Sequence, residues 1–149
     1  MTIGSTLAVF KRELRDALRA RPGLANVQIE YSQPETELQD DSIWFETADG
    51  STALPVMRAG TKPVDETYQL KVAVQVLRTQ GESQETADDR CIELFAEVQQ
   101  CVAENPQLIP EIQWAKLEGW NHVVGMLASG GGHGSRFDAQ VTVKARLFP

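Results

Sequence analysis

Cysteine and histidine are scarce in this chain, with two of each in 149 residues. Cys91 and Cys101 fall on one predicted helix. At about 1.5 Å of rise per residue they stand roughly 15 Å apart, beyond the roughly 7 Å between Cα atoms that a disulfide tolerates. They read as buried thiols of a protein folded in a reducing cytoplasm. His122 and His133 flank a glycine-rich stretch with no cysteine near either, so no metal-ligand spacing is present. His122 is expected to pack under Trp120 and His133 to face solvent. No apolar run approaches the roughly 20 residues that span a bilayer. The opening "MTIGSTLAVFKRELRDALRA" has no basic segment ahead of an apolar one, so it reads as an amphipathic helix and not as a secretory signal. Positive charge is missing altogether from residues 22–57, which hold seven acids and no Lys or Arg. With a net charge of −7, the chain does not grip nucleic acid over its whole surface. A surface that DNA slides past remains compatible with it.

The apolar fraction of 42% and the charged fraction of 23% are those of a soluble globular protein long enough for a real core. The hydrophobic periods set the element order. Leu7, Phe10, Leu14, Ala17 and Leu18 recur at the helical period from Thr6 to Ala20, with Ser5 or Thr6 as cap and Pro22-Gly23 as stop. Lys11, Arg12, Arg15 and Arg19 form a basic stripe beside that face, either solvated or set against an acidic partner. "NVQIEY" alternates as a half-buried antiparallel strand should. "SIWFET" and "ALPVMRA" flank Asp49-Gly50, which signals a hairpin, with Pro55 marking the second arm as an edge strand. Tyr68, Leu70, Val72, Val74 and Val76 line one face of a long strand, Glu66 to Thr79.

A second helix is expected from Ser83 to Ala103, capped by Ser83, with Ala87, Cys91, Leu94, Phe95, Val98, Cys101 and Val102 inward. Asp89, Glu93, Glu97 and Glu104 line its outer face. "IQWAKLEGW" reads as a strand, and Arg136 to Phe148 alternates to the end. No internal repeat and no dividing linker interrupts the pattern. These elements predict an α+β fold: one mostly antiparallel sheet with two helices on one face. Two strands of about 13 residues would run roughly 43 Å, far beyond the typical 5–6 residues. They would leave sheet edges to be covered, by a bulge within one chain or by neighbouring copies.

Chemical motifs fail one by one. "SGGGHGS", Ser129 to Ser135, lacks the Lys and the following helix of a phosphate-binding loop. No G-x-S-x-G elbow accompanies it, so it serves no hydrolase oxyanion hole. Asp40-Asp41 and Asp88-Asp89 are adjacent acids whose side chains diverge, and no nucleophile stands beside a base in sequence. No catalytic residue, cofactor site or metal site is expected.

In order, "PGLANVQIEYSQP", "DSIWFE", "DETYQLKVAVQV", "ADDRCIELFAEVQQCVAENPQL", "AKLEGW" and "VTVKARL" resemble the tail terminator, or tail completion, proteins of long-tailed bacteriophages, as found in phages of actinobacteria. The resemblance runs over nearly the whole chain, rests on patterned elements in a set order and implies a single tail-terminator-like domain over 1–149. It implies a virion protein made in the bacterial host cytoplasm and located in the tail at the neck end. It implies a ring, commonly a hexamer, that caps the tail tube, ends its polymerisation, docks the head and lets DNA pass without sequence recognition. The implied partners are copies of itself, the major tail tube protein and head–tail connector proteins, with no cofactor, no membrane and no catalysis. A head–tail connector ring on the capsid side is the nearest alternative, and a small ligand-binding or enzymatic α+β domain the more distant one. The candidate subunit or tube interface comprises Arg12, Arg15 and Arg19 with the loop Gly130, Gly131, Gly132, His133 and Gly134, which is expected to order against a partner. Asp40, Asp41, Asp89, Glu93 and Glu97 are the candidate acidic lumen or complementary face.

Overall fold

The computed structural model describes residues 4–35, 39–54, 63–79, 81–126 and 132–148. The chain order is α1 (Leu7–Arg19), a short 3-10 turn (Pro22–Leu24), β1 (Gln28–Glu30), β2 (Asp41–Ala53), β3 (Val64–Thr79), α2 (Gln84–Glu104), β4 (Ile112–Met126) and β5 (Gly132–Leu147). The five strands form one sheet in the order β1-β2-β3-β5-β4, antiparallel except where β1 joins β2. Both helices pack on one face, giving the expected α+β architecture.

The strand alternation explains the layering. Leu70, Val72, Val74 and Val76 of β3 and Ala139, Val141, Val143 and Ala145 of β5 are fully buried beneath the helices. The apolar stripe of α2 meets them from above, with Ala87, Cys91, Leu94, Phe95, Val98, Cys101 and Val102 all buried. Phe10, Leu14 and Leu18 extend the core under α1. Neither cysteine is bonded to the other. Cys91 donates to the carbonyls of Val74 and Ser135 at 3.5 Å, and burial pushes its thiol up to about 11.

Both helices are capped, in different ways. Ser83 Oγ accepts from the Thr86 amide at 3.1 Å, as its position predicts. At α1, Ser5 Oγ accepts from the Leu7 amide, and the buried Glu66 of β3 reaches across to accept from Thr6 N at 3.0 Å and Thr6 Oγ1 at 2.8 Å. A carboxylate at a helix N-terminus also suits the helix dipole, so β3 fixes where α1 begins.

The structure corrects three sequence expectations. Asp49-Gly50 is not a turn, because β2 runs straight through it and pairs with β3 as far as Ala53 opposite Asp65. Glycine is required there by close approach: a Cβ at Gly50 would lie 2.7 Å from Tyr68 Cβ and 2.8 Å from the Thr67 carbonyl oxygen. The second arm expected at Ala53–Ala59 lies, from Pro55 onward, outside the described residues. β1 is only three residues long and runs parallel to β2, with Ile29 opposite Ile43. Arg19 holds it, donating from Nε and Nη2 to the Ile29 carbonyl at 2.9 and 2.6 Å. Finally, Gly132, His133 and Gly134 are strand and not loop. They pair with Thr79, Arg78 and Leu77 of β3, and β4 flanks His133 and Gly134 on the other side. A two-sided ladder satisfies their backbone groups more completely than a loop would. Gly130 and Gly131 lie outside the described residues.

Substituting Gly50 by Ala should force β2 away from β3 and destabilise the fold by about 1–3 kcal/mol, the usual range for overpacking. Gly81→Ala, where a Cβ meets nothing within 4 Å, should change stability by less than about 0.5 kcal/mol. Parallel thermal melts followed by circular dichroism check the contrast.

Candidate interaction surfaces

Among the described residues, the nearest approach to a catalytic constellation sits where the start of α2 crosses the β4–β5 hairpin. His122 Nε2 lies 2.8 Å from Ser135 Oγ, and Asp88 Oδ1 lies 3.6 Å from the same nitrogen. A serine relay needs the hydroxyl and the carboxylate on opposite ring nitrogens, so that the acid orients the base. Here both partners crowd one nitrogen, and Ser135 is only 1% exposed. Burial raises the Asp88 pKa, but hydrogen bonds from Gln84 and Ser135 and the nearby His122 outweigh it and hold the group below its ordinary value. Gln84 Nε2 also donates to the Gly134 carbonyl at 2.9 Å. The cluster is a polar lock that fastens α2 to the hairpin. Among the described residues, no group of three His, Cys, Asp or Glu is placed to hold a metal ion.

Beside this lock the surface turns apolar. Phe95 of α2 stacks on Phe137 of β5 with ring centroids 4.6 Å apart, and Trp120 of β4 meets Phe137 edge-on at 5.4 Å. His122 packs on Phe137 at 4.7 Å and not beneath Trp120 as expected. His133, expected in solvent, is partly buried within the ladder. Trp120 remains 61% exposed, with Val124 at 53% and Ile92 of α2 at 50%. Trp120 and Val124 lie on β4, the outermost strand on that side, and Ile92 shares a face of α2 with Asp88 and Phe95, which meet His122 and Trp120 of β4. Its second half, "GWNHVVGM" (119–126), carries no Lys, Arg, Asp or Glu. Sheet edges in monomers are commonly guarded by charge, proline or a cover.

The face away from the helices is built differently. Ile43 and Phe45 point into the helical core, so Trp44 between them points out, yet it is fully buried. Arg136 lies over its ring, 5.3 Å from the centroid, and Trp44 Nε1 donates to Glu46 Oε1 at 3.1 Å. Arg136 also pairs with Glu46 and, at 2.7 Å, with Asp138, while Lys71 bridges Glu46 and Asp138 at 3.5 and 3.6 Å. Burial raises the Glu46 pKa, and hydrogen bonds from Arg136 and Trp44 lower it further than that. A polar cleft of about 440 Å³ adjoins this lid, lined in part by Thr47, Asp49, Gln69, Asn121 and Gln140. The i, i+2 spacing of Trp44 and Glu46 was the one sequence signal for this network. Its partners come from β3 and β5 and are invisible until the register is known.

The residues singled out in the sequence divide into engaged and free. Asp41 is engaged by both Arg78 Nη1 at 2.7 Å and Arg90 Nε at 2.9 Å, joining β2, β3 and α2. Glu97 accepts from Arg21 at 2.7 Å, and Arg21 also reaches Glu104 at 2.9 Å, so part of the basic–acidic complementarity is used inside the chain. Arg15 pairs with its neighbour Asp16, and Arg19 is committed to β1. Glu93 is exposed and bonded to Arg90. Arg12, Asp40 and Asp89 are exposed, and no ion pair is formed by any of them among the described residues.

Burial alone would raise the Asp41 pKa, but the hydrogen bonds and charges of Arg78 and Arg90 dominate and lower it. A carboxylate whose folded pKa lies below its unfolded value, near 4, adds stability that is fully present above that value. The contribution disappears as the pH falls through the folded pKa. Stability should therefore be level above about pH 5 and fall from about pH 4 downward. Asp41→Asn should cost about 1.5–3 kcal/mol at pH 7, the range for hydrogen bonds to charged groups. Its deficit against the parent should shrink toward pH 3. Urea unfolding at several pH values measures both effects.

No protein-family model matches the sequence, and no curated protein matches it. Solved structures share its fold. A chain of the virion of a native gene transfer agent particle superposes with a TM-score of 0.56 at 9% identity, covering 91% of this chain and 94% of that one. The sheath/tube terminator of an extracellular contractile injection system, PVC, in its extended state, gives a TM-score of 0.51 at 13% identity. That alignment covers all of this chain and 58% of the terminator, so the present chain spans a little over half of its length. The chain thus has a fold found in a gene transfer agent particle and in the sheath/tube terminator of a contractile injection system.

Proposed function

We propose that this chain is a structural subunit of a phage-type tail. Copies of it form a ring on the head-proximal end of the tail tube, end tube polymerisation and present the surface to which the head docks. The observation that carries this proposal is the shared fold, over 91–100% of this chain, with a gene transfer agent virion chain and with a sheath/tube terminator. The polar lock at His122 supports it from the chemical side, since its geometry fits fastening and not turnover. The exposed carboxylates Asp40 and Asp89 suit a lumen in which phosphates are repelled and DNA passes without sticking. A connector ring on the capsid side is compatible with the likeness to the gene transfer agent chain. Binding of the purified protein to tail tubes or to emptied capsids separates the two roles.

Purified protein, alone or with its tail tubes, should give rings with a central hole, and six chains of 16.5 kDa would have a mass of about 100 kDa. Negative-stain imaging with light scattering tests this; a chain that stays monomeric even on tubes contradicts it. Of the basic stripe, Arg12 is the clean probe. Arg12→Glu should weaken assembly at unchanged melting temperature, whereas Arg19→Glu should lower the melting temperature because it releases β1.

A further inference from the structure

Among the described residues, two stretches of sheet edge have no strand beside them, and they complement each other. The first is the ledge on β4, where Trp120 projects from an uncharged edge with Val124 and Ile92 beside it. The second lies on the opposite flank. β1 covers β2 only at Ser42, Ile43 and Trp44, so among the described residues the outer edge of β2 is unpaired from 46 to 53. Side chains there are small: residues 48–53 read "ADGSTA". On the helix side of this edge lies a hollow of about 300 Å³ whose lining includes Leu7, Ala48, Gly50, Thr52 and Tyr68. Gly50 keeps it open, since no side chain fits between β2 and Tyr68.

We infer that the occupant of each edge is a second copy of this chain: β4 of one copy adds to the free edge of β2 in the next, and Trp120 enters the hollow beside Gly50. Three observations carry this. Trp120 sits opposite Ala139, on the helix side of its sheet, and Ala48, Gly50 and Thr52 line the hollow on the helix side of theirs, so joined sheets bring knob and hole to one face. Among the described residues both edges are open, and one head-to-tail contact satisfies both. Trp120 is level with Val72 and Gly50 with Tyr68, a stagger of four residues along β3, or roughly 13 Å. A β4–β4 contact between two copies would bury the ledge but leave the β2 edge and its hollow open. The inference rests on the ring proposed above and names its subunit contact.

Two variants test it, each removing one half of the contact. Trp120→Ser deletes the knob, and Thr52→Trp, at an exposed position, fills the hole. Sedimentation velocity should show each variant alone as a monomer under conditions where the parent assembles; Trp120→Ser should stay folded, with its melting temperature lowered by a few degrees through the lost contact with Phe137. A one-to-one mixture should stop at dimers, because one intact knob meets one intact hole. Independently of any variant that folds poorly, the tryptophan emission of the parent should shift to shorter wavelength on assembly, and the shift should vanish in Trp120→Phe difference spectra. Assembly of Trp120→Ser at parental affinity, or a mixture that stays monomeric, overturns this contact and leaves the ring standing. A parent that never assembles, even on tail tubes, overturns both.

Discussion

The ladder between β3 and β5 is the constraint on which the rest depends. The two strands pair without interruption from Val64 opposite Leu147 to Thr79 opposite Gly132. Sixteen residues at about 3.3 Å extend roughly 50 Å. The 21 residues of α2 reach only about 32 Å and the 13 of α1 about 20 Å. Two helices of that size cover the middle of the sheet, and among the described residues β4 and the 46–53 stretch of β2 have no strand on their outer side. Trp120 is level with Val72, at the middle of the ladder, so the apolar ledge follows from the place of β4 as the outermost strand and not from the length of the helices. In the head-to-tail assembly proposed above, neighbouring copies cover these edges with the same fold.

Charge plays a second, internal part. The excess of acid does not lie simply on the surface. Asp41 ties three elements through two arginines, Glu66 starts α1, and Glu46 and Asp138 hold Arg136 over Trp44. The stretch without positive charge, residues 22–57, obtains its cations from elsewhere in the chain: Arg19 for Glu30, Arg78 and Arg90 for Asp41, Arg136 and Lys71 for Glu46. Long-range pairing of this kind fixes register and helix placement more than it adds stability at the surface.

What the sequence made legible follows the range of the forces involved. Periods of 3.6 and 2 are local, so both helices, their inward faces, the Ser83 cap and the long alternating strands are readable from residues alone. Asp49-Gly50 misled because a turn signal is also local, whereas the demand for glycine opposite Tyr68 comes from a strand fifteen or more positions away. The direction of β1 depends on Arg19 reaching back to Ile29, which no strand pattern encodes. The glycines 132 and 134 read as a loop because their partners, Thr79 and Leu77, lie across the sheet. The candidate interface was legible only in type. Overlong strands pointed to covered edges, but the basic stripe proved partly engaged within the chain, and the Trp120 ledge emerged only once β4 was seen to be outermost.

The proposed tail-end ring, closed through sheet edges, joins these observations into one account: a rigid central ladder and two sheet edges that neighbouring copies would cover for one another. Amide hydrogen exchange on the free chain and on the chain within the virion tests it most directly. Amides of β3 and β5 should exchange slowest in both states, whereas those of 119–126 in β4 and 46–53 in β2 should exchange fast in the free chain and slow severalfold in the virion. Equal exchange of those two edges in the free and the assembled chain would contradict the account.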